Sequence, residues 1–233
     1  MNEPSLKTAT TRRIIRGNAA RIAIGAAMMA TVSTAVFIWM PYQRELGIAR
    51  KIASPHVTVQ WSYCGPFWIP QSAWDRLPFF YRVNFVGLDA QASVQPLSEL
   101  GSLTSLGSVC LNGNQFTDAN LEHLKGLTDL VVLNLSNTKV TDGGLEQLDR
   151  LANLKDVRLD NTAVTGAGLR HLKGLTNLME LHLSGTQVTD EGLEHLRGLN
   201  YLTALDITHT QVSAEGREML QKALPLCKIT AEP

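Results

Sequence analysis

The sequence predicts an α/β solenoid in which short parallel strands form a sheet on the concave face and short helices cover the convex face. The first observation is a 24-residue period, marked by leucines that open five successive lines of the chain: Leu103, Leu127, Leu151, Leu175 and Leu199. The second is the order within each line, where a strand-like alternation precedes a helix-like spacing. One unit cannot bury its own leucines, whereas stacked units can, so the period predicts a repeat architecture.

The chain opens with a basic tail and an apolar run. Residues 1–21 carry five Lys and Arg residues against a single acid, Glu3, and residues 22–40 contain no charged side chain. At about 1.5 Å per residue, Ile22–Met40 extends about 29 Å, close to the roughly 30 Å hydrocarbon core of a bilayer. We expect a transmembrane signal anchor with a cytoplasmic N-terminus, which places the rest of the chain on the non-cytoplasmic side. The alternatives are a signal peptide cleaved near residues 32–35 and a mitochondrial transit peptide.

Residues 41–78 are expected to form a juxtamembrane segment and an N-terminal cap. A helix over residues 42–53 and a strand over residues 57–63 precede a stretch that prolines interrupt. Nine of the fourteen aromatic residues lie between Trp61 and Phe85. Two interpretations of this aromatic segment stay open. It is either a cap over the exposed end of the core or a contact site for a partner or the membrane surface.

Each full line has the form LxxLxxLxLxxTxVTDxGLxxLxG. In the fourth line, Leu181 and Leu183 have the two-residue alternation of a strand. The second half of the line begins with Thr189 and Asp190, residue types that favour helix N-termini because their side chains accept hydrogen bonds from backbone N–H groups. Leu193 then starts an apolar helix face. We therefore expect each line to be a strand followed by a short helix.

Weaker units flank the five full repeats, which span residues 103–222. Residues 79–102 fit the same register only at leucines 97 and 100, so we interpret them as a degenerate first repeat. At the other end, residues 223–233 are expected to add a capping strand that no helix follows.

These lines resemble the repeats of leucine-rich-repeat proteins. In the first full repeat, the positions of the family pattern LxxLxLxxNxL are filled by Leu106, Val109, Leu111, Asn114 and Phe116. Later repeats replace the asparagine with a threonine, whose hydroxyl can still bond the backbone of the turn: Thr138, Thr162, Thr186 and Thr210. The TxVTDxGL form is most similar to short membrane-anchored bacterial repeat proteins of planctomycete type.

The positions that this scaffold leaves free are those that point outward from the concave strands. In the central row these are Cys110, Asn134, Arg158, His182, Asp206 and Thr230. At about 4.8 Å between strands, Arg158, His182 and Asp206 form a row of polar side chains within reach of one another. We expect partner binding through Asn134, Asp156, Arg158, Asp160, Glu180, His182 and Asp206. The alternative is a solvated sheet face whose charges satisfy one another.

Other function classes are disfavoured. The 21 acidic and 21 basic side chains leave no basic excess for nucleic acid. A zinc site on cysteines is not expected, because no CxxC spacing occurs among the three: Cys64, Cys110 and Cys227. Outer helices stand about 10 Å apart, too far for one ion to bind the histidines predicted on them, His123, His171 and His195. Ser184 and His182 lie on a flat sheet without oxyanion donors, so we expect no enzyme activity, metal or cofactor.

The sequence therefore predicts a membrane-anchored module that binds a protein or another polymer on the outer side of a bacterial cytoplasmic membrane. A second hypothesis is an intracellular substrate adaptor, because related TDxGL repeats occur beside an F-box in ubiquitin-ligase receptors. Residues 74–80, WDRLPFF, match an F-box only faintly, and Ile22–Met40 argues against a soluble adaptor. A third hypothesis is a structural envelope protein without a selective ligand.

Overall fold

The fold is one eight-stranded sheet whose strands follow the order of the sequence. A computed structural model of the chain describes residues 43–63, 81–95 and 97–231. The predicted anchor, Ile22–Met40, lies outside these ranges. Within them, no helix combines the length and the apolar character that crossing a membrane requires.

The strands are β1 Val57–Tyr63, β2 Tyr81–Leu88, β3 Ser108–Leu111, β4 Val132–Asn134, β5 Asp156–Arg158, β6 Glu180–His182, β7 Ala204–Asp206 and β8 Lys228–Thr230. The helices are α1, residues 43–52, α2 Leu97–Leu100, α3 Asp118–Leu121, α4 Asp142–Leu145, α5 Asp190–Leu193 and α6 Ala214–Ala223. Single 3-10 turns follow α3, α4 and α5 at Glu122–Leu124, Glu146–Leu148 and Glu194–Leu196, whereas a 3-10 helix, Gly168–Leu172, forms the helical half of the third full repeat. From β2 onward every strand pair is parallel, which confirms the predicted α/β solenoid.

The first four full repeats bury equivalent apolar side chains between the sheet and the helical layer. In the fourth full repeat, Leu181, Leu183, Leu193 and Leu196 are at most 2% exposed. The middle residue of each three-residue strand from β4 to β7 is buried while its neighbours remain accessible, as the predicted alternation requires. Because burying one leucine contributes about 1.5–3 kcal/mol, the stacking of repeats is the main source of stability.

The N-terminal end of the core is closed by α1 together with β1, which pairs antiparallel with β2. Ile52 of α1 is buried in the core. Glu45 of the same helix is 5% exposed and accepts hydrogen bonds of 2.9 Å from Val83 N and 2.9 Å from Ser105 Oγ. A buried carboxylate is costly unless it is hydrogen-bonded, so these contacts fix α1 to β2 and to the first full repeat. The sequence predicted the helix but not its role in the cap.

Each turn that follows one of the strands β3 to β7 contains one residue with a positive φ. In chain order the five residues are Gly113, Asn137, Asn161, Gly185 and His209, with φ values of 129°, 60°, 54°, 68° and 54°. Glycine adopts this conformation freely and asparagine tolerates it, whereas a histidine there carries more strain.

In four repeats, the threonine that follows the positive-φ residue hydrogen-bonds the backbone of the turn. Its hydroxyl donates to the carbonyl oxygen three residues earlier at 2.6–2.7 Å, from Thr138, Thr162, Thr186 and Thr210. The predicted role of these threonines is therefore confirmed. Asn114, at the same position of the first full repeat, is exposed and makes no side-chain hydrogen bond within the described ranges.

The aspartate at the start of α3, α4 and α5 bonds the next repeat. Asp190 accepts hydrogen bonds from Ser213 N at 2.8 Å and Ser213 Oγ at 2.6 Å. Thr189 is the N-cap residue of α5, but its side chain makes no capping hydrogen bond. The prediction that Thr189 and Asp190 simply begin the helix is thus incomplete, because the carboxylate links two repeats.

In the third full repeat, Gly166 replaces this aspartate. Gly166 packs directly against Gly192 of the next repeat, and a Cβ atom added to Gly166 would lie 2.9 Å from Gly192 Cα. Direct backbone contact therefore takes the place of the carboxylate at this junction.

The C-terminal end of the sheet is β8, the strand expected within residues 223–233. Cys227 closes the core there with 3% exposure, whereas Leu226 is 87% exposed. Arg217, which occupies a leucine position of the repeat, is exposed on α6, as suits a terminal unit.

Candidate binding site on the sheet face

The outward side chains of the sheet form straight rows. The strand register aligns, in order, Cys110, Asn134, Arg158, His182, Asp206 and Thr230. This is the central row that the sequence predicts, so its register is confirmed. We call the seven candidate residues the sheet-face residues: Asn134, Asp156, Arg158, Asp160, Glu180, His182 and Asp206. Glu180 is exposed and the other six are partly buried.

Arg158 pairs with a carboxylate on its own strand. Its Nη2 donates to Asp156 Oδ2 at 2.9 Å, and its Nε donates to both carboxylate oxygens at 3.2 Å. The hydrogen bond to Asp156 raises the pKa of Arg158 above its ordinary value. The guanidinium therefore turns along the strand toward Asp156, and these two sheet-face residues largely satisfy each other.

A second row of hydrogen bonds crosses four repeats beside the central row. Asp160 accepts from Ser136 Oγ at 3.0 Å and from Ser184 N at 3.0 Å. The hydroxyls of Ser184 and Thr208 then lie 2.6 Å apart. Asp160 is thereby fixed in orientation, and the Ser184 hydroxyl bonds Thr208 instead of contacting His182. The 24-residue spacing of these four residues is the sequence signal for the row.

Two further sheet-face residues accept a hydrogen bond from the backbone just after their strands. Asn134 Oδ1 accepts from Ser136 N at 2.9 Å, and Asp206 Oδ1 accepts from Thr208 N at 2.9 Å. The second carboxylate oxygen of Asp206 takes no hydrogen bond from the residues that the structure describes. Asp206 therefore keeps accepting capacity that Asn134 largely lacks.

His182 is the least satisfied polar side chain of the site. Its Nε2 atom is buried and has no hydrogen-bond partner among the described residues. Glu180 Oε2 approaches this nitrogen only to 3.9 Å, which exceeds hydrogen-bonding distance. Leaving a buried polar atom unpaired costs about 1–3 kcal/mol, so the position is better suited to binding than to supporting the fold.

The electrostatic character of the sheet-face residues is acidic. Four carboxylates stand against one guanidinium and one imidazole. Since Arg158 is bonded to Asp156, the three remaining carboxylates, those of Asp160, Glu180 and Asp206, surround His182 without a bonded cation among the described residues. This part of the face attracts positive charge.

Burial raises the pKa of both described cysteines, Cys110 and Cys227, above its ordinary value. Cys110 and Cys227 are free thiols, and burial raises the pKa of Cys227 to about 11. A thiol with so high a pKa is a poor nucleophile and metal ligand. Cys64 and residues 64–80 of the aromatic segment lie outside the described residues.

Comparison with known proteins supports the repeat architecture. A family model described as Leucine Rich repeat matches residues 126–148, 174–196 and 198–220. A search of curated proteins finds no match.

Among solved structures, an internalin, inlF, from Listeria monocytogenes is 19% identical over 63% of this chain and 47% of its own, with a TM-score of 0.52. Internalin C2 from the same organism is 25% identical over 58% of this chain and 55% of its own, with a TM-score of 0.51. The chain thus spans about half the length of these structures. Together with the 24-residue period and the parallel sheet, these likenesses show that the chain contains leucine-rich repeats and folds as a leucine-rich-repeat solenoid.

Proposed function

We propose that the chain is a membrane-anchored module that binds a protein, or another polymer, through the sheet-face residues on the outer side of a bacterial cytoplasmic membrane. The observation that carries the proposal is the row from Asn134 to Asp206, which runs across four adjacent strands and stays accessible to solvent. Within this row, His182 and Asp206 keep hydrogen-bonding capacity that the fold does not use.

The chemistry of the face favours a partner that presents basic or hydrogen-bond-donating groups. Asp160, Glu180 and Asp206 concentrate negative charge around His182, and complementary charge on a partner steers association and fixes its register. The helical face differs, because it carries acidic and basic side chains side by side, as in the 2.7 Å ion pair of Glu194 with Arg197. We therefore place recognition on the sheet and not on the helices.

Binding is best tested with two matched double variants of the full chain in a crosslinking pull-down. His182→Ala with Asp206→Asn removes the two groups with unused bonding capacity, and we expect it to weaken partner capture. Glu194→Gln with His195→Ala makes the same chemical changes on the helical face and should leave capture unchanged. Since hot spots cluster near the centre of an interface, equal capture by both doubles would remove the sheet face from the site.

The anchor is supported by the nineteen uncharged residues from Ile22 to Met40, by the basic tail before them, and by the resemblance to membrane-anchored repeat proteins of planctomycete type. We expect the chain to stay in the membrane pellet through high-salt and carbonate washing. External protease should digest the repeats in spheroplasts and spare the N-terminal tail. Recovery of the intact chain in the soluble fraction would instead favour the intracellular adaptor.

A further inference from the structure

We propose that Asp160, His182 and Asp206 form a binding site for a divalent transition-metal ion of the zinc type on the sheet face. One ligand atom from each residue lies within 4.8 Å of the other two. Zinc ligands about 2.0–2.2 Å from the ion stand about 3.4 Å apart in a tetrahedral arrangement, so small side-chain rotations bring all three to bonding distance. The three residues belong to three successive repeats, which makes the site a property of the stacked array.

A second observation points to a ligand at this place. The buried Nε2 of His182 has no partner within the described ranges, and neither has the second oxygen of Asp206. His182 Nε2 lies 3.9 Å from Glu180 Oε2, but no hydrogen bond from a described residue fixes the imidazole, so rotation of the ring can turn either nitrogen toward Asp160 and Asp206. A bound ion would supply the missing partner for both groups and offset the negative charge of the two carboxylates.

Asp160 already has the support that a metal ligand needs. Ser184 N and Ser136 Oγ each donate one hydrogen bond to a different oxygen of its carboxylate, both at 3.0 Å. Each oxygen retains a lone pair, and the two donors hold the carboxylate in place, as outer-shell partners of metal ligands do. The same residues that give the sheet its second row of hydrogen bonds thus orient one ligand of the site.

The donor set selects the class of ion. One imidazole and two carboxylates match the nitrogen and oxygen ligands of Zn²⁺ and neighbouring first-row metals, with water completing the coordination. Ca²⁺ and Mg²⁺ prefer oxygen ligands alone, whereas this set includes an imidazole nitrogen. The site belongs to zinc-type ions for this reason.

A competing carboxylate pair lies on the other side of the same histidine. Ligand atoms of Asp156, Glu180 and His182 also fall within 4.8 Å of one another. There, however, Arg158 already donates three hydrogen bonds to Asp156, and its positive charge would have to be displaced by an ion. Asp160 and Asp206 have no such bonded cation among the described residues, so we assign the ion to them.

The proposal is tested with the metal-free, full-length chain in detergent. The chain is titrated with Co²⁺, followed by visible absorption, and separately with Zn²⁺, followed by calorimetry. We expect one equivalent to bind, without the sulfur-to-cobalt absorption that thiolate ligands would produce. His182→Ala and Asp206→Asn should each weaken binding at least tenfold. The matched controls on the helical face, His195→Ala and Glu194→Gln, should stay within twofold of wild type, and Glu180→Gln should weaken binding less than Asp206→Asn does.

Three results would overturn the assignment. The first is that the wild-type chain shows no saturable binding. The second is that His182→Ala and Asp206→Asn both bind the metal as tightly as wild type. The third is that Glu180→Gln abolishes binding while Asp206→Asn does not. Circular dichroism of each variant separates loss of the site from loss of the fold. The outcome is independent of the pull-down, since it uses only the metal ion as a probe.

Discussion

The carboxylate of Asp142 accepts two hydrogen bonds from Thr165, 23 residues further along the chain, from the backbone N at 2.7 Å and from the hydroxyl at 2.6 Å. The same geometry links Asp118 to Thr141 and Asp190 to Ser213. Hydrogen bonds to charged groups contribute about 1.5–3 kcal/mol, more than neutral ones. These pairs join the helical halves of successive repeats, as the strand ladder joins their strands.

Asp142→Ala should therefore lower the free energy of unfolding by about 1–3 kcal/mol, because it leaves the partly buried Thr165 N–H without an acceptor. Urea denaturation monitored by circular dichroism measures the loss. Asp129→Ala is the matched control, since Asp129 is exposed, and it should stay within about 0.5 kcal/mol of wild type. Equal effects of the two substitutions would show that the link between repeats does not contribute.

Glu45→Gln should detach the N-terminal cap. The substitution removes the negative charge and one of the two oxygens that accept separately from Val83 N and Ser105 Oγ, so we expect a loss of about 1–3 kcal/mol. Hydrogen exchange should show the amides of α1 losing protection before those of β4 to β7. Glu99→Gln removes an exposed partner of Lys51 and serves as the control, with no comparable change. Undiminished protection of α1 in Glu45→Gln would contradict this role.

His209→Gly should stabilise the fold. His209 has a φ of 54°, and relieving the left-handed strain of about 1–2 kcal/mol outweighs the added unfolded-state entropy of about 0.5–1 kcal/mol. A net gain of about 0.5–1 kcal/mol should appear as a higher Tm. Gly185→Ala, at the same turn position of the preceding repeat, should lower Tm, since its added Cβ would also collide with Asn161. A lower Tm for His209→Gly would show that its side chain stabilises the turn.

Leu181→Ala should cost about 2–5 kcal/mol, because Leu181 is fully buried and its truncation leaves a cavity between sheet and helices. His195→Ala on the partly exposed helical face should stay within about 0.5 kcal/mol. Denaturant midpoints of the two variants give the comparison. Similar losses would mean that the helical face contributes to the core.

The sequence predicts the buried framework well, because periodic leucines report burial directly. Leu181 and its equivalents could be assigned for this reason, and so could the central row through His182, since one register repeats along the sheet. The partners of polar side chains were not predictable. An aspartate after threonine is equally consistent with capping its own helix, so spacing alone does not reveal that Asp190 bonds Ser213. Likewise, the register predicts that Arg158 lies beside His182, but the side-chain conformation of Arg158 turns its guanidinium toward Asp156.

Gly166 leaves the junction between the third and fourth full repeats without the carboxylate link that the other three junctions have. In a solenoid, each repeat is held mainly by its neighbours, so we expect local opening of the stack to begin at this junction. Thr189 finds no carboxylate across this junction, whereas the equivalent residues of the flanking junctions do. Asp160 lies on one side of the junction and His182 on the other. Local opening there would separate Asp160 from His182 while most of the core remained folded, and a ligand that bridges these two residues would oppose that opening.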